Sequence, residues 1–175
     1  DSFLPYTINP ILVVNTPVPL ASLDGKVDTT MFNARLTSQL VRALDVAVNY
    51  HYDDRNNKSP RAVYPYIGGD SQNQRPYDQG RINLPYSYNR EKADAVLTYR
   101  VGGGTHLRAG AEYLNMSRDY SEVTHSDEWA WLAGVKFGGF EFASFNFDYR
   151  NSSRNVSDYV GNRPLIESSV PGTVT

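Results

Sequence analysis

Cysteine is absent from all 175 residues. That excludes disulfide scaffolding, thiolate-bound zinc, cysteine-held iron–sulfur clusters and haem tethered through Cys-x-x-Cys-His within this chain. No apolar run approaches the ~20 residues that a membrane-spanning helix needs. No charge of one sign dominates: the formal net charge is -2, so broad electrostatic attraction to nucleic acid has no basis. A secretion signal is missing, and Asp1 stands where an initiator methionine would; the expectation is a processed chain or a segment of a longer one. Mean hydropathy is only -0.50. That value suits a soluble protein, but it suits a membrane barrel as well, because only alternate strand residues meet lipid and the loops are polar.

Thirteen tyrosines stand against two methionines, a bias toward strands, since aromatic rings fit a pleated surface. Three times the chain runs two alternating arms around a short turn and leaves through a polar loop. In the clearest copy, residues 126–150, Trp129, Trp131, Ala133, Val135 and Phe137 share one face, with Glu128, Ala130, Leu132, Gly134 and Lys136 on the other. Gly138-Gly139 is read as the turn. The return arm sets Phe145, Phe147 and Tyr149 against Asn146, Asp148 and Arg150, and its change of phase after Phe142 is read as a bulge near Ala143-Ser144. The first copy alternates Phe32, Ala34 and Leu36 with Asn33 and Arg35, turns near Val41-Arg42-Ala43, and returns through Leu44, Val46, Val48, Tyr50 and Tyr52. The second sets Ala93, Ala95, Leu97 and Tyr99 against Lys92, Asp94 and Arg100. It turns at Gly102-Gly103-Gly104 and returns through Leu107, Ala109, Ala111 and Tyr113.

Strands are therefore expected at 29–40, 44–53, 91–101, 106–116, 127–137 and 140–150, with long loops at 1–28, 54–85, 117–126 and 151–175. The loop 54–85 is too long for a compact soluble domain and ordinary for an outer rim of a barrel. Arms of about 9–11 residues are what a tilted strand needs to cross hydrocarbon. The fold class expected is all-β: an antiparallel transmembrane β-barrel of the outer-membrane type, with at least six strands as three hairpins. Six strands alone would leave two raw edges in lipid, where each unsatisfied backbone group costs several kcal/mol. The chain is accordingly read as a segment of one larger barrel domain.

The ring-bearing face is assigned to lipid: Phe32, Leu36, Val46, Val48, Tyr50, Leu97, Tyr99, Tyr113, Trp129, Trp131, Val135, Phe145 and Phe147. The other face is assigned to an enclosed wet space: Arg35, Asp45, Asp53, Lys92, Asp94, Arg100, Arg108, Glu112, Glu128, Lys136, Asp148 and Arg150. Its plain reading is a mixed-charge wall lining water. Its functional reading is a surface that grips something held inside. With both signs interleaved, strong selectivity for one ion is not expected.

No residue emerges as a catalytic, cofactor-binding or metal site. His51 is placed at the outer end of its strand, His106 beside the glycine turn and His125 in a loop, with no metal-ligand spacing between them. Asp53, Asp54, Asp70 and Asp78 lack the order of a calcium loop. Gly102-Gly103-Gly104 is followed by neither a helix nor Lys-Ser/Thr, so it is a hairpin turn rather than a phosphate loop. Nothing resembles a nucleophile elbow, and no enzyme activity is expected.

Short phrases add a family likeness. Leu84-Pro85-Tyr86 through Arg90-Glu91-Lys92-Ala93-Asp94, then Glu112-Tyr113, Ser126-Asp127-Glu128-Trp129 and Phe147-Asp148-Tyr149-Arg150, together with Arg-x-Asn-x-Pro-Tyr at 81–86, resemble the MtrB/PioB family of outer-membrane barrels. The likeness covers about residues 32–159. It implies a sheath that holds a multihaem c-type cytochrome across the outer membrane for extracellular electron transfer. It also implies a periplasmic cytochrome in the lumen, an extracellular cytochrome at the loops, and outer-membrane lipid around the wall. The barrel would bind no cofactor directly, the haem being carried by the partner. Long loops would be extracellular and short turns periplasmic. Many family members carry an N-terminal Cys-x-x-Cys that this chain lacks. The alternatives are a general porin or small OmpA-like barrel, told apart by what fills the lumen, and a soluble β-sandwich, which would pack its aromatic faces together.

Overall fold

A computed structural model describes residues 19–20, 22–64, 81–138 and 143–170. The expectations placed on residues 1–18, on Asp70 and Asp78, and on Phe140 and Phe142 lie outside the described residues. The elements are β1 (Val27–Val41), β2 (Leu44–Asn57), β3 (Val63–Tyr64), β4 (Arg81–Ile82), β5 (Tyr88–Gly102), β6 (Thr105–Arg118), β7 (His125–Phe137), β8 (Phe145–Val156) and the short helix α1 (Arg163–Ser168). Six long strands form one open sheet in the order β1-β2-β5-β6-β7-β8, every neighbour antiparallel, while β3 and β4 make a separate small hairpin. This is the meander that three consecutive hairpins dictate.

The turns follow from their residues. Arg42-Ala43 closes β1 on β2. Gly102, Gly103 and Gly104 adopt φ of 113°, 57° and 77° between β5 and β6, values that residues with a Cβ rarely tolerate. Each of these ends carries a register shift, between Gln39 and Val41 and between Arg100 and Gly102.

The strands run longer than expected. β2 continues through Asn57, β5 begins at Tyr88, β6 reaches Arg118 and β7 starts at His125. His125 is thus the first residue of a strand rather than a loop residue. The sixth strand needs the largest correction. It is described from Phe145 and runs to Val156, six residues past the expected end. Phe137 pairs with Phe145; the expected turn at Gly138-Gly139 and the change of phase after Phe142 rest on residues 139–142, which lie outside the described residues. Residues 151–156, expected in a loop, complete the pairing of β8 with Ser126–Trp131. The physical reason is common to the loop-side ends of β2, β5, β6 and β7. Above the hydrocarbon both faces of a strand are wet, so the alternation that signals a strand disappears while the hydrogen-bonded ladder persists.

Beyond β8 the chain turns back over the rim. Glu122, in the connection between β6 and β7, accepts hydrogen bonds from the Tyr159 hydroxyl (2.9 Å) and the Asn162 amide (2.9 Å). Ser169 bridges to Arg81 of β4, and Arg61 donates to the Glu167 carbonyl oxygen at 3.3 Å. The helix was not foreseen: six residues carry too little periodicity to announce one.

Among the described residues, Ala130 (1% exposed) is the one buried hydrophobic residue. Trp131 and Phe147 stay more than 60% exposed. A soluble sandwich would bury those rings, so the sheet is a single-layer wall.

Candidate functional site

The register decides which side chains share a face, because directly paired residues point the same way. One continuous row reads Leu36–Val48–Ala95–Ala111–Trp131, and the next reads Val46–Leu97–Ala109–Ala133–Tyr149. All thirteen residues assigned to lipid fall on this one face. Aliphatic and small residues fill its middle on β2, β5 and β6, with Trp131 and Tyr149 among them on β7 and β8, and further aromatics gather toward both ends. Tyr50, Tyr113 and Trp129 lie toward the long loops, and Tyr99, Phe137, Phe145 and Phe147 toward the turns. Tyr113 and Trp129 are a cross-strand pair with ring centroids 4.7 Å apart, and Phe32 meets Tyr50 at 6.1 Å.

The height of this band can be worked out. Apolar rows run from the Tyr50–Ala93–Tyr113–Trp129 level down to Phe137–Phe145, five in all. Two residues advance a strand by about 6.7 Å, so five rows cover roughly 27 Å of strand, or about 20 Å of height at a tilt near 40°, before side chains add a few Å at each end. That matches the ~25 Å apolar belt of an outer-membrane barrel flanked by aromatic girdles. Immediately above it the same face turns polar in the row Tyr52–Glu91–Asn115–Asp127–Asn155.

The opposite face holds the twelve residues assigned to the enclosed space, Arg35, Asp45, Asp53, Lys92, Asp94, Arg100, Arg108, Glu112, Glu128, Lys136, Asp148 and Arg150. They are cross-linked. Arg150 spans β6, β7 and β8, donating to Glu128 at 2.8 Å and Glu112 at 3.5 Å. Arg100 binds Asp45 across two hairpins. Asn49 donates to Asp94 at 2.7 Å, and the Tyr88 hydroxyl donates to Asp53 at 3.1 Å. Arg108 and Asp148 stand 3.8 Å apart on either side of Gly134. A Cβ at Gly134 would come within 2.5 Å of the Asp148 carboxylate. The missing side chain is what lets that carboxylate lie across β7.

His51 shares this face and pairs with Asn33 at 2.5 Å. His106 belongs to it by register, opposite Arg100 and Lys136. His125 is on the aromatic face at the loop end, 3.1 Å from the Ser117 hydroxyl. The three are not brought together, and no group of three His, Asp or Glu suited to a metal ion occurs among the described residues.

Four residues of the polar face were missed: Arg55, Arg90, Arg118 and Arg154. Each lies in the strand extensions toward the loops, and each continues the alternation of its own strand. Extending the period of two past Asp53, before Lys92, past Met116 and past Arg150 would have found them.

Two comparisons with known proteins bear on this wall. The family model for the outer-membrane β-barrel porins MtrB/PioB matches residues 1–171. The chain belongs to the MtrB/PioB family. Outer membrane protein MtrB of Shewanella baltica (strain OS185) is 25% identical over 126 residues, which is 71% of this chain and 17% of that protein. The chain thus spans less than a fifth of the length of the curated relative it matches. An open six-stranded sheet is what a part of such a barrel should look like. In the wall of an outer-membrane barrel the apolar, aromatic side is the one that meets lipid and the polar side is luminal.

Proposed function

We propose that this wall is part of a sheath enclosing a multihaem c-type cytochrome, so that electrons cross the outer membrane from periplasm to exterior. Membership of the MtrB/PioB family carries the reading. The wall supports it physically. Its luminal side chains are tied to one another by cross-strand ion pairs, giving a firm, wet lining that can seat a folded protein, while its other face excludes that protein from lipid. The haem belongs to the partner, the barrel acts without catalysis of its own, and the long loops face outward, where they meet an extracellular cytochrome. The work of the sheath is to keep acyl chains and bulk lipid away from the line of haems.

Purification of the full-length barrel in mild detergent tests this. The expected result is a co-eluting haem protein with a Soret band and strong c-type absorption. A colourless, stable barrel that conducts ions freely would contradict it and favour a general porin.

A further inference from the structure

The near-neutral charge of the whole chain hides a separation. On the long strands, all ten cationic residues project into the lumen, against six anionic ones, an excess of four positive charges. The four acidic residues on the outward face, Asp28, Asp54, Glu91 and Asp127, all lie above the apolar belt. Within the lumen the six acids all have a neighbour: Asp45, Asp148, Glu112 and Glu128 pair with arginines, Asp94 accepts from Asn49, and Asp53 accepts from Tyr88 through one oxygen while its Oδ1 is shielded without a partner. Several of the cations do not. Arg35, Arg90, Lys92, Arg118 and Lys136 have no carboxylate partner among the described residues, and the Arg118 Nε is shielded from solvent with no hydrogen-bond acceptor. The cations without a carboxylate partner are concentrated toward the loops, where Arg55, Arg90, Lys92, Arg118 and Arg154 lie with only Asp53 and Glu128 among them.

We propose that the luminal wall is built to hold a protein whose enclosed surface is acidic, gripped most strongly in the loop-side half. This rests on the sheath reading and names the chemistry of what the sheath holds. Uncommitted cations around a confined, low-dielectric passage focus a positive potential. An acidic protein surface entering it replaces mobile counter-anions and satisfies the free guanidinium and ammonium groups. A basic one would set like charges opposite one another and be repelled. The expected mixed-charge row did not include Arg55, Arg90, Arg118 and Arg154, because the expected strands ended short of them.

The test uses the full-length barrel and the triple variant Arg90→Gln, Lys92→Gln, Arg118→Gln, which removes no ion pair of the wall. In planar bilayers, conductance of the emptied barrel is blocked with poly-L-glutamate and with poly-L-lysine. Polyglutamate should block at a concentration at least about tenfold lower, and the variant should lose most of that preference. In the intact complex, the salt concentration that releases the co-purified protein should fall in the variant. If the triple variant fails to insert, as judged by heat-modifiable gel mobility, Lys92→Gln alone must narrow the gap. Equal or better block by polylysine, or an unchanged preference and release point in a variant that inserts, would overturn the proposal. A barrel that prefers polyglutamate but carries no haem protein would sink the sheath reading alone. A haem-loaded barrel indifferent to the two polymers would sink this inference alone.

Discussion

Replacing Val48 with arginine puts a guanidinium into the middle of the lipid-facing belt. Val48 sits between Leu36 and Ala95 on the aromatic face, two rows below the polar boundary at Tyr52–Glu91. Two rows correspond to about 13 Å of strand, or roughly 10 Å of depth at a tilt near 40°. That is close to the midplane of a ~25 Å belt, where an arginine on the lipid side costs about 2–4 kcal/mol. At about 1.4 kcal/mol per decade, the folded-to-unfolded ratio should fall roughly 30- to several-hundred-fold. Ala47 occupies the same depth on the luminal face, where its neighbours are Thr37 and Val96 and water is at hand. Ala47→Arg should therefore cost no more than about 1 kcal/mol. The assay is urea-dependent folding of the full-length barrel into thin lipid vesicles, read by heat-modifiable gel mobility. A Val48→Arg barrel as stable as the Ala47→Arg barrel would refute the assignment of faces.

Three further outcomes are expected. A double-mutant cycle between Tyr113 and Trp129 in the same folding assay should give a coupling of about 0.5–1.5 kcal/mol, the value of a close aromatic pair beyond its buried area; zero coupling would mean the rings do not meet. Gly134→Ala should dislodge the Asp148 carboxylate from Arg108. Because that pair is half exposed the loss stays below about 1 kcal/mol, and it should shrink further when Asp148 is already alanine. At the rim, donation to Glu122 holds the Tyr159 hydroxyl protonated and pushes its pKa above the ordinary phenol value of 10.0. The contact persists below that value and is lost as pH rises through the raised one. Limited proteolysis of residues 157–162 should thus accelerate in alkali for the native barrel, and already at neutral pH for Tyr159→Phe; identical cleavage profiles would show that the bond does not hold the segment.

Much of this wall was legible because hydrocarbon enforces a pattern. Between Val46 and Tyr50, or Trp129 and Val135, every second residue must be apolar to meet lipid, so faces and partners can be read from the chain. Where lipid ends the rule ends too. Asp53-Asp54-Arg55 is polar on both faces, and only the ladder to Tyr88–Arg90 shows that it is strand; in β8, Asn151 and Ser153 break the rule opposite Trp131 and Trp129, and again only the ladder reveals the strand. The cost of that blind spot was functional, since the arginines that give the lumen its positive sign lie in those stretches. The cross-strand pairs Arg150–Glu112 and Arg100–Asp45 were equally hidden. Their partners are 38 and 55 residues apart in sequence, and register alone joins them. The charge types and the faces were readable in advance; the partners were not.

The most direct measurement of the central claim is site-directed spin labelling along β2, which the absence of cysteine makes straightforward within this chain. Single nitroxide labels at residues 45 to 50, in the full-length barrel in lipid, should alternate. Those at 46, 48 and 50 should collide with dissolved oxygen and be shielded from a water-soluble nickel complex, while those at 45, 47 and 49 should show the reverse. Uniform accessibility along the strand, or the opposite alternation, would contradict the account.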